Sequence, residues 1–169
     1  DDDPVPSVET FAAPIVARLA DSGLKHFHLE PGRCLVADSA ALVTTVQYEK
    51  LDGAHRIVIV DAGMQTLLRP ALYDAYHRVL PVGQAFSLSP ADIAGPICES
   101  ADFLARDRTL PSLIGGDLLA LLDVGAYGFS MASNYNAHPL PAEVLIESNT
   151  YRLIRRRQTL EELIAHEVI

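Results

Sequence analysis

Lysine is nearly missing from this chain: Lys25 and Lys50 are the only two. Chemistry through a lysine amine therefore has two candidates, and both read as solvated, Lys25 ahead of a short alternating stretch and Lys50 at a strand end before a Gly turn. Cysteine is as scarce, with Cys34 and Cys98 alone and no CxxC spacing, which speaks against a disulfide framework or a zinc site. His26, His28, His55, His77, His138 and His166 show neither HxxxH nor HExxH spacing, so no metal site is assigned. Positive charge is short as well: 13 Lys and Arg against 22 Asp and Glu leave a net charge of −9. That balance excludes general attraction to nucleic acid or to an anionic membrane. No run approaches the roughly 20 apolar residues needed to cross a bilayer, and Asp1-Asp2-Asp3-Pro4 lacks the features of a signal peptide. A cytoplasmic protein is expected. No internal repeat or low-complexity segment is visible.

What is present is a globular composition, with 169 residues and 49% hydrophobic content, enough for one proper core. Because the first residue is not Met, the chain reads as a piece of a longer product. Val8, Phe11, Ile15, Val16 and Leu19 keep helical spacing, with Ser7 or Thr10 as N-cap and Gly23 as the stop. Lys25 to Glu30 alternates like a short strand and ends in Pro31-Gly32. Helix, strand and sharp loop predict the last unit of an α/β (TIM-like) barrel over residues 1–33. Beyond Arg33 the texture turns β-branched, and strands are expected at Ala41–Tyr48, Arg56–Asp61, Phe86–Ala94, Asp117–Val124, Glu143–Ile146 and Arg152–Arg157. Helices are expected at Pro70–His77 and Thr159–His166, the latter opening on Thr159 and Glu162 at capping-box spacing. Residues 34–169 are thus predicted to form a mainly β domain with flanking helices, an antiparallel β-barrel or sandwich. The cluster Arg152, Arg155, Arg156 and Arg157 reads as a solvated strand edge.

Four short segments combine residues that could carry chemistry. Glu30-Pro31-Gly32-Arg33 joins a carboxylate, a bare glycine backbone and a guanidinium on one turn at a strand end, where α/β barrels build their active sites. Such a turn could admit a phosphate to backbone N–H groups, or be an ordinary surface turn. Arg69 precedes a helix start and Tyr73 lies one turn on, so the pair could hold a carboxylate, or cap and pack locally. In Gly95-Pro96-Ile97-Cys98-Glu99-Ser100-Ala101-Asp102 a thiol leaves a strand beside a carboxylate, fit to donate a proton or simply to pack in a core. Gly125 and Gly128 frame Tyr127, which suggests either a close backbone approach or a bend at a barrel corner.

The ordered set EPGR, DAGMQTLLRPALYDAYH, GPICESADFLARDR, GAYGFSMASNYN and LIRRRQTLEEL resembles the diaminopimelate decarboxylase family, which has the alanine-racemase-like fold type III of the pyridoxal-phosphate enzymes. The resemblance spans essentially the whole chain. It implies pyridoxal 5'-phosphate as cofactor, with Glu30 facing the pyridine nitrogen, Gly32 and the Arg33 backbone holding the phosphate, and Tyr127 against cofactor and substrate. It further implies that Arg33, Arg69 and Tyr73 bind the distal carboxylate of meso-diaminopimelate, that Glu99 binds the ammonium beside it, and that Cys98 is the acid that reprotonates the reacting carbon. The charges agree, because this substrate bears a second zwitterionic head that two Arg and one Glu match. Each charge-assisted hydrogen bond contributes about 1.5–3 kcal/mol, so losing two rejects a monocarboxylate by factors of roughly hundreds. In the ornithine relative the residue after the Cys is typically Asp.

The resemblance also implies a homodimer in which Cys98 and Glu99 complete the partner subunit's site. The family's cofactor lysine lies in an N-terminal α/β barrel, and no matching segment occurs here. The chain alone is therefore expected to be inactive without that barrel. Two alternatives are the decarboxylase part of a bifunctional aspartate kinase and decarboxylase, and a non-catalytic binding module that reuses the β-domain.

Overall fold

In the computed structural model, residues 6–83 and 87–168 are described. The chain separates into one unit that ends at Pro31 and another that begins at Gly32. The first contains helix α1 (Val8–Ala20), started by the Ser7 hydroxyl, which accepts the Thr10 N–H at 3.2 Å. Gly23, at φ +71°, follows the helix end. No residue of α1 is buried, and Val8 (76%) and Phe11 (65%) lie open. The strand expected at Lys25–Glu30 does not form: the segment carries no regular secondary structure and is exposed throughout. A strand exists through its ladder, and among the described residues this unit offers no neighbour to pair with.

The second unit is mainly β. Its elements are α2 (Arg33–Val36), β1 (Leu42–Asp52), β2 (His55–Val60), α3 (Arg69–Tyr73), β3 (Val79–Pro81), β4 (Ser89–Ala94), β5 (Phe103–Leu110), β6 (Leu118–Leu121), β7 (Glu143–Glu147), β8 (Thr150–Arg155) and α4 (Leu160–Leu163). Six strands form one sheet in the order β3-β6-β1-β2-β4-β5, and β7 and β8 pair by themselves. Every pairing is antiparallel, as expected, except β2 with β4, which run parallel in the register Val58 to Ile93. The connection between them is long enough to carry α3 and β3 across, which is what a parallel pair requires.

Alternation fixes which faces are buried. In β2, Arg56, Val58 and Val60 point inward between half-exposed neighbours, and Thr44 and Val46 of β1 do the same. Val46, Val58, Val60, Ile93, Leu104 and Leu119 are essentially sealed and form the centre of the core. Arg56 enters this interior because its charge is fully met: it pairs with Glu49 and donates to the carbonyls of Leu110 (3.0 Å) and Pro111.

Several expected elements are shorter than the sequence suggested. The helix expected at Pro70–His77 ends at Tyr73, where Asp74 turns left-handed (φ 52°). The strand expected at Asp117–Val124 stops at Leu121, ahead of Asp123 at φ 61°. The strand expected at Phe86–Ala94 runs from Ser89, with Phe86 outside the described residues. The helix after Thr159 is a single turn, and its capping box is formed in both directions. The arginine cluster lies on the exposed β8 and just beyond it, where Arg155 pairs with Glu143 and Arg156 with Glu162.

Strands β3 and β5 had no clear sequence signal. β3 is three residues long and ends in Pro81. In β5 the period is broken by Asp107 at φ 51° and by register shifts against β4.

Candidate active site

Strand β2 runs out into Asp61, whose carboxylate accepts the Thr44 hydroxyl at 2.6 Å and the Thr45 N–H at 2.8 Å. Burial pushes this carboxyl up, but those donors outweigh it and leave it below the usual range. The chain then turns tightly, with the N–H groups of Thr66 and Leu67 both donating to the Gly63 carbonyl (2.9 and 3.0 Å). Leu67 is sealed in the core, so the next turn, α3, begins from a fixed point and presents Arg69.

The Arg69 guanidinium stands 5.7 Å from the Tyr73 ring centre and 5.4 Å from that of Tyr127. It is half-buried between two phenols, and among the described residues no carboxylate lies within ion-pair reach of it. An arginine held by aromatic faces keeps its N–H donors free for an added anion. Tyr127 is thrown outward by a left-handed backbone (φ 59°), and its hydroxyl comes to 3.8 Å from where a side chain on Gly32 would begin. Gly32, Arg69, Tyr73 and Tyr127 are thus gathered at one place, and Arg33 opens α2 directly after Gly32. Glu30 belongs to the first unit.

The glycines around Tyr127 do require a close approach, but to the chain's own backbone. A Cβ on Gly125 would fall 2.6 Å from the Ser39 hydroxyl and closer still to the Val36 carbonyl oxygen, and one on Gly128 would strike the Val124 carbonyl. The Gly125 N–H donates to the Ala37 carbonyl at 2.9 Å. The Tyr127 loop is therefore clipped to the end of α2.

Cys98 and Glu99 lie on the loop leaving β4, and both are exposed, which rules out core packing for this thiol. The loop is folded on itself: Gly95 N–H donates to the Asp102 carbonyl (3.0 Å), Asp102 N–H to the Glu99 carbonyl (3.0 Å), and Glu99 N–H to the Ile97 carbonyl (2.8 Å). Tyr135 donates its hydroxyl to the Glu99 carboxylate at 3.5 Å. The Ser133 N–H in turn donates to the Gln65 carbonyl at 2.9 Å, which ties this segment to the loop before α3. Tyr135 and Asp102 are the residues missing from the sequence-based site. Both sit in the quoted motifs, but neither spacing nor type set them apart from neighbouring polar residues.

Lys25 and Lys50 are exposed, as expected. A cleft of about 710 Å³ lies between α3 and β5 and includes Tyr73 and Tyr76 but neither Arg69 nor Cys98. Convergent chemistry, not cavity size, marks the site. Among the described residues no helix is long and apolar enough to cross a membrane.

Residues 20–125 match the family profile described as the pyridoxal-dependent decarboxylase C-terminal sheet domain. The chain is 48% identical over 169 residues to a diaminopimelate decarboxylase of Neisseria meningitidis serogroup A, covering 99% of this chain and 41% of that protein. It superposes with a TM-score of 0.94 on the crystal structure of diaminopimelate decarboxylase from M. jannaschii in complex with L-lysine, at 38% identity, covering 100% of this chain and 40% of that one. A lysine/ornithine decarboxylase from Vibrio vulnificus complexed with cadaverine is more distant, with a TM-score of 0.70 and 28% identity over 80% of this chain and 37% of that one. The chain spans about 40% of the length of the curated relatives it matches.

Proposed function

We propose that this chain, which belongs to the family of pyridoxal-dependent decarboxylase C-terminal sheet domains, forms the substrate-gripping half of a diaminopimelate decarboxylase. The whole protein converts meso-2,6-diaminopimelate to L-lysine and carbon dioxide. The carrying observation is Arg69, set between Tyr73 and Tyr127 with no carboxylate partner among the described residues. A half-buried guanidinium so left is a receptor for an anion that the substrate brings.

The bare Gly32 backbone beneath the Tyr127 hydroxyl suits a phosphate-bearing ring, so the residues present fit pyridoxal phosphate. When bound, that cofactor supplies an electron sink for the pair left by departing carbon dioxide. Glu30, Gly32, the Arg33 backbone and Tyr127 are the residues of this chain that would hold it. Arg33, Arg69 and Tyr73 take the distal carboxylate, and Glu99, oriented by Tyr135, takes the distal ammonium. Cys98 gives its thiol proton to the carbon that has lost the carboxylate, and the thiolate is reprotonated from solvent. An exposed thiol on a tied-down loop is suited to reach a site outside its own fold.

The lysine that binds the cofactor comes from an N-terminal α/β barrel. The bare apolar stripe of α1 and the unpaired segment before Pro31 are what such a barrel covers and pairs. The working unit is a cytoplasmic homodimer in which Cys98 and Glu99 complete the partner subunit's site. The test is substrate choice by the full-length protein: meso-diaminopimelate decarboxylated in clear preference to ornithine and lysine, with the preference lost in Arg69→Ala. Equal rates on all three substrates refute the reading.

A further inference from the structure

We propose that Asp102 is a positioning residue, whose single carboxylate fixes the Cys98–Glu99 loop to the loop that leads into Arg69. Asp102 is 3% exposed, yet its partners are backbone N–H groups: Met64 donates to Oδ1 at 2.6 Å and Ile97 to Oδ2 at 2.7 Å. Met64 opens the tight turn that leads through sealed Leu67 to Arg69, and Ile97 immediately precedes Cys98. One rigid planar group thus sets the spacing between the two loops. Its cradle is cut to size. A Cβ on Gly63 would lie 2.7 and 2.9 Å from the two carboxylate oxygens, and one on Gly95 would lie 2.6 Å from Oδ1 and 2.5 Å from the Gly63 Cα. The two loops pass back to back at glycines, and the carboxylate fills the remaining space. Burial pushes the Asp102 carboxyl up and the two N–H donors pull against it, with Glu99 adding to the rise and His138 opposing it.

The proposal rests on the decarboxylase reading, under which the two loops serve different sites of the dimer. Asp92 provides the control. It is 4% exposed and also accepts a backbone N–H, from Asp107 at 2.7 Å, but its other partners are His55 and Arg106, and it touches neither loop. In the full-length protein, Asp102→Asn is expected to lower kcat for meso-diaminopimelate about tenfold or more and to raise KM, because misplacing a reacting group by about 1 Å costs on that scale. Asp92→Asn is expected to lower stability and leave both constants unchanged. Wild-type kinetics in Asp102→Asn overturn the proposal. Should that variant fail to fold, the wild-type protein, labelled with ¹⁵N at Met and Ile, decides: the Met64 and Ile97 amides are expected to follow one shared titration curve as Asp102 protonates, and two independent curves, or none, overturn it. Neither amide readout depends on the substrate, so a failed substrate assignment, seen as an unchanged KM in Arg69→Ala, is distinguishable from a failed clamp.

Discussion

Replacing Gly125 by Ala tests the link between the fold and the Tyr127 phenol. Gly125 does not have a left-handed φ, so alanine is free to adopt its backbone conformation and the effect is steric. The new methyl would sit 2.6 Å from the Ser39 hydroxyl and closer to the Val36 carbonyl oxygen, against ordinary contacts of about 3.5 Å or more, so the two backbones must part by roughly 1 Å. Overpacking of this kind costs about 1–3 kcal/mol. Loss of the hydrogen bond from Gly125 N–H to the Ala37 carbonyl adds about 1 kcal/mol, for a total of roughly 2–4 kcal/mol. Because Val36 ends the helix that starts at Arg33, the same movement shifts the Gly32–Arg33 segment against Tyr127, and KM for meso-diaminopimelate is expected to rise. Gly53→Ala is the comparison: at φ +61° in open space it costs about 1–2 kcal/mol through backbone strain alone and leaves KM unchanged. Equilibrium urea unfolding and steady-state kinetics on both variants give the answer. A Gly125→Ala protein as stable as its parent, or one whose KM moves no more than that of Gly53→Ala, refutes the reasoning.

Cys98→Ala is expected to reduce kcat by about 10²–10⁴ with little change in KM, as removal of a proton donor does, and single-turnover measurement of product checks it. Acid should weaken the fold through Glu49, Asp61 and Asp92: burial raises all three carboxyls, but the Arg56 pair, the Thr44 and Thr45 donors, and the Asp107 N–H with His55 leave each below its usual value. Their stabilisation is present above the unfolded values of 4.5 for Glu and 3.8 for Asp and is lost as pH falls through the folded ones, so Glu49→Gln should flatten the acid limb of urea midpoint against pH. Asp102 has the opposite sign, its raised carboxyl favouring the fold at the low end and losing that contribution as pH rises through its folded value. Thr159→Ala removes a formed capping box and is expected to cost about 1 kcal/mol, read as faster amide exchange at Glu162.

Residue order alone determined much of this protein. The β-branched run after Arg56 marked β2, Ser7 and Thr159 marked two helix starts, and the ordered motifs from EPGR to LIRRRQTLEEL indicated the family before any fold was considered. Those signals are local, written in spacings of two, three or four residues along the chain. Tertiary structure alone decided the rest. The parallel pairing of β2 with β4, the approach of Tyr127 to Arg69, and the reach of the Asp102 carboxylate to the Met64 N–H all join residues far apart in sequence. The lost strand at Lys25–Glu30 makes the same point in reverse, since an alternating segment becomes a strand only when another backbone supplies its hydrogen bonds.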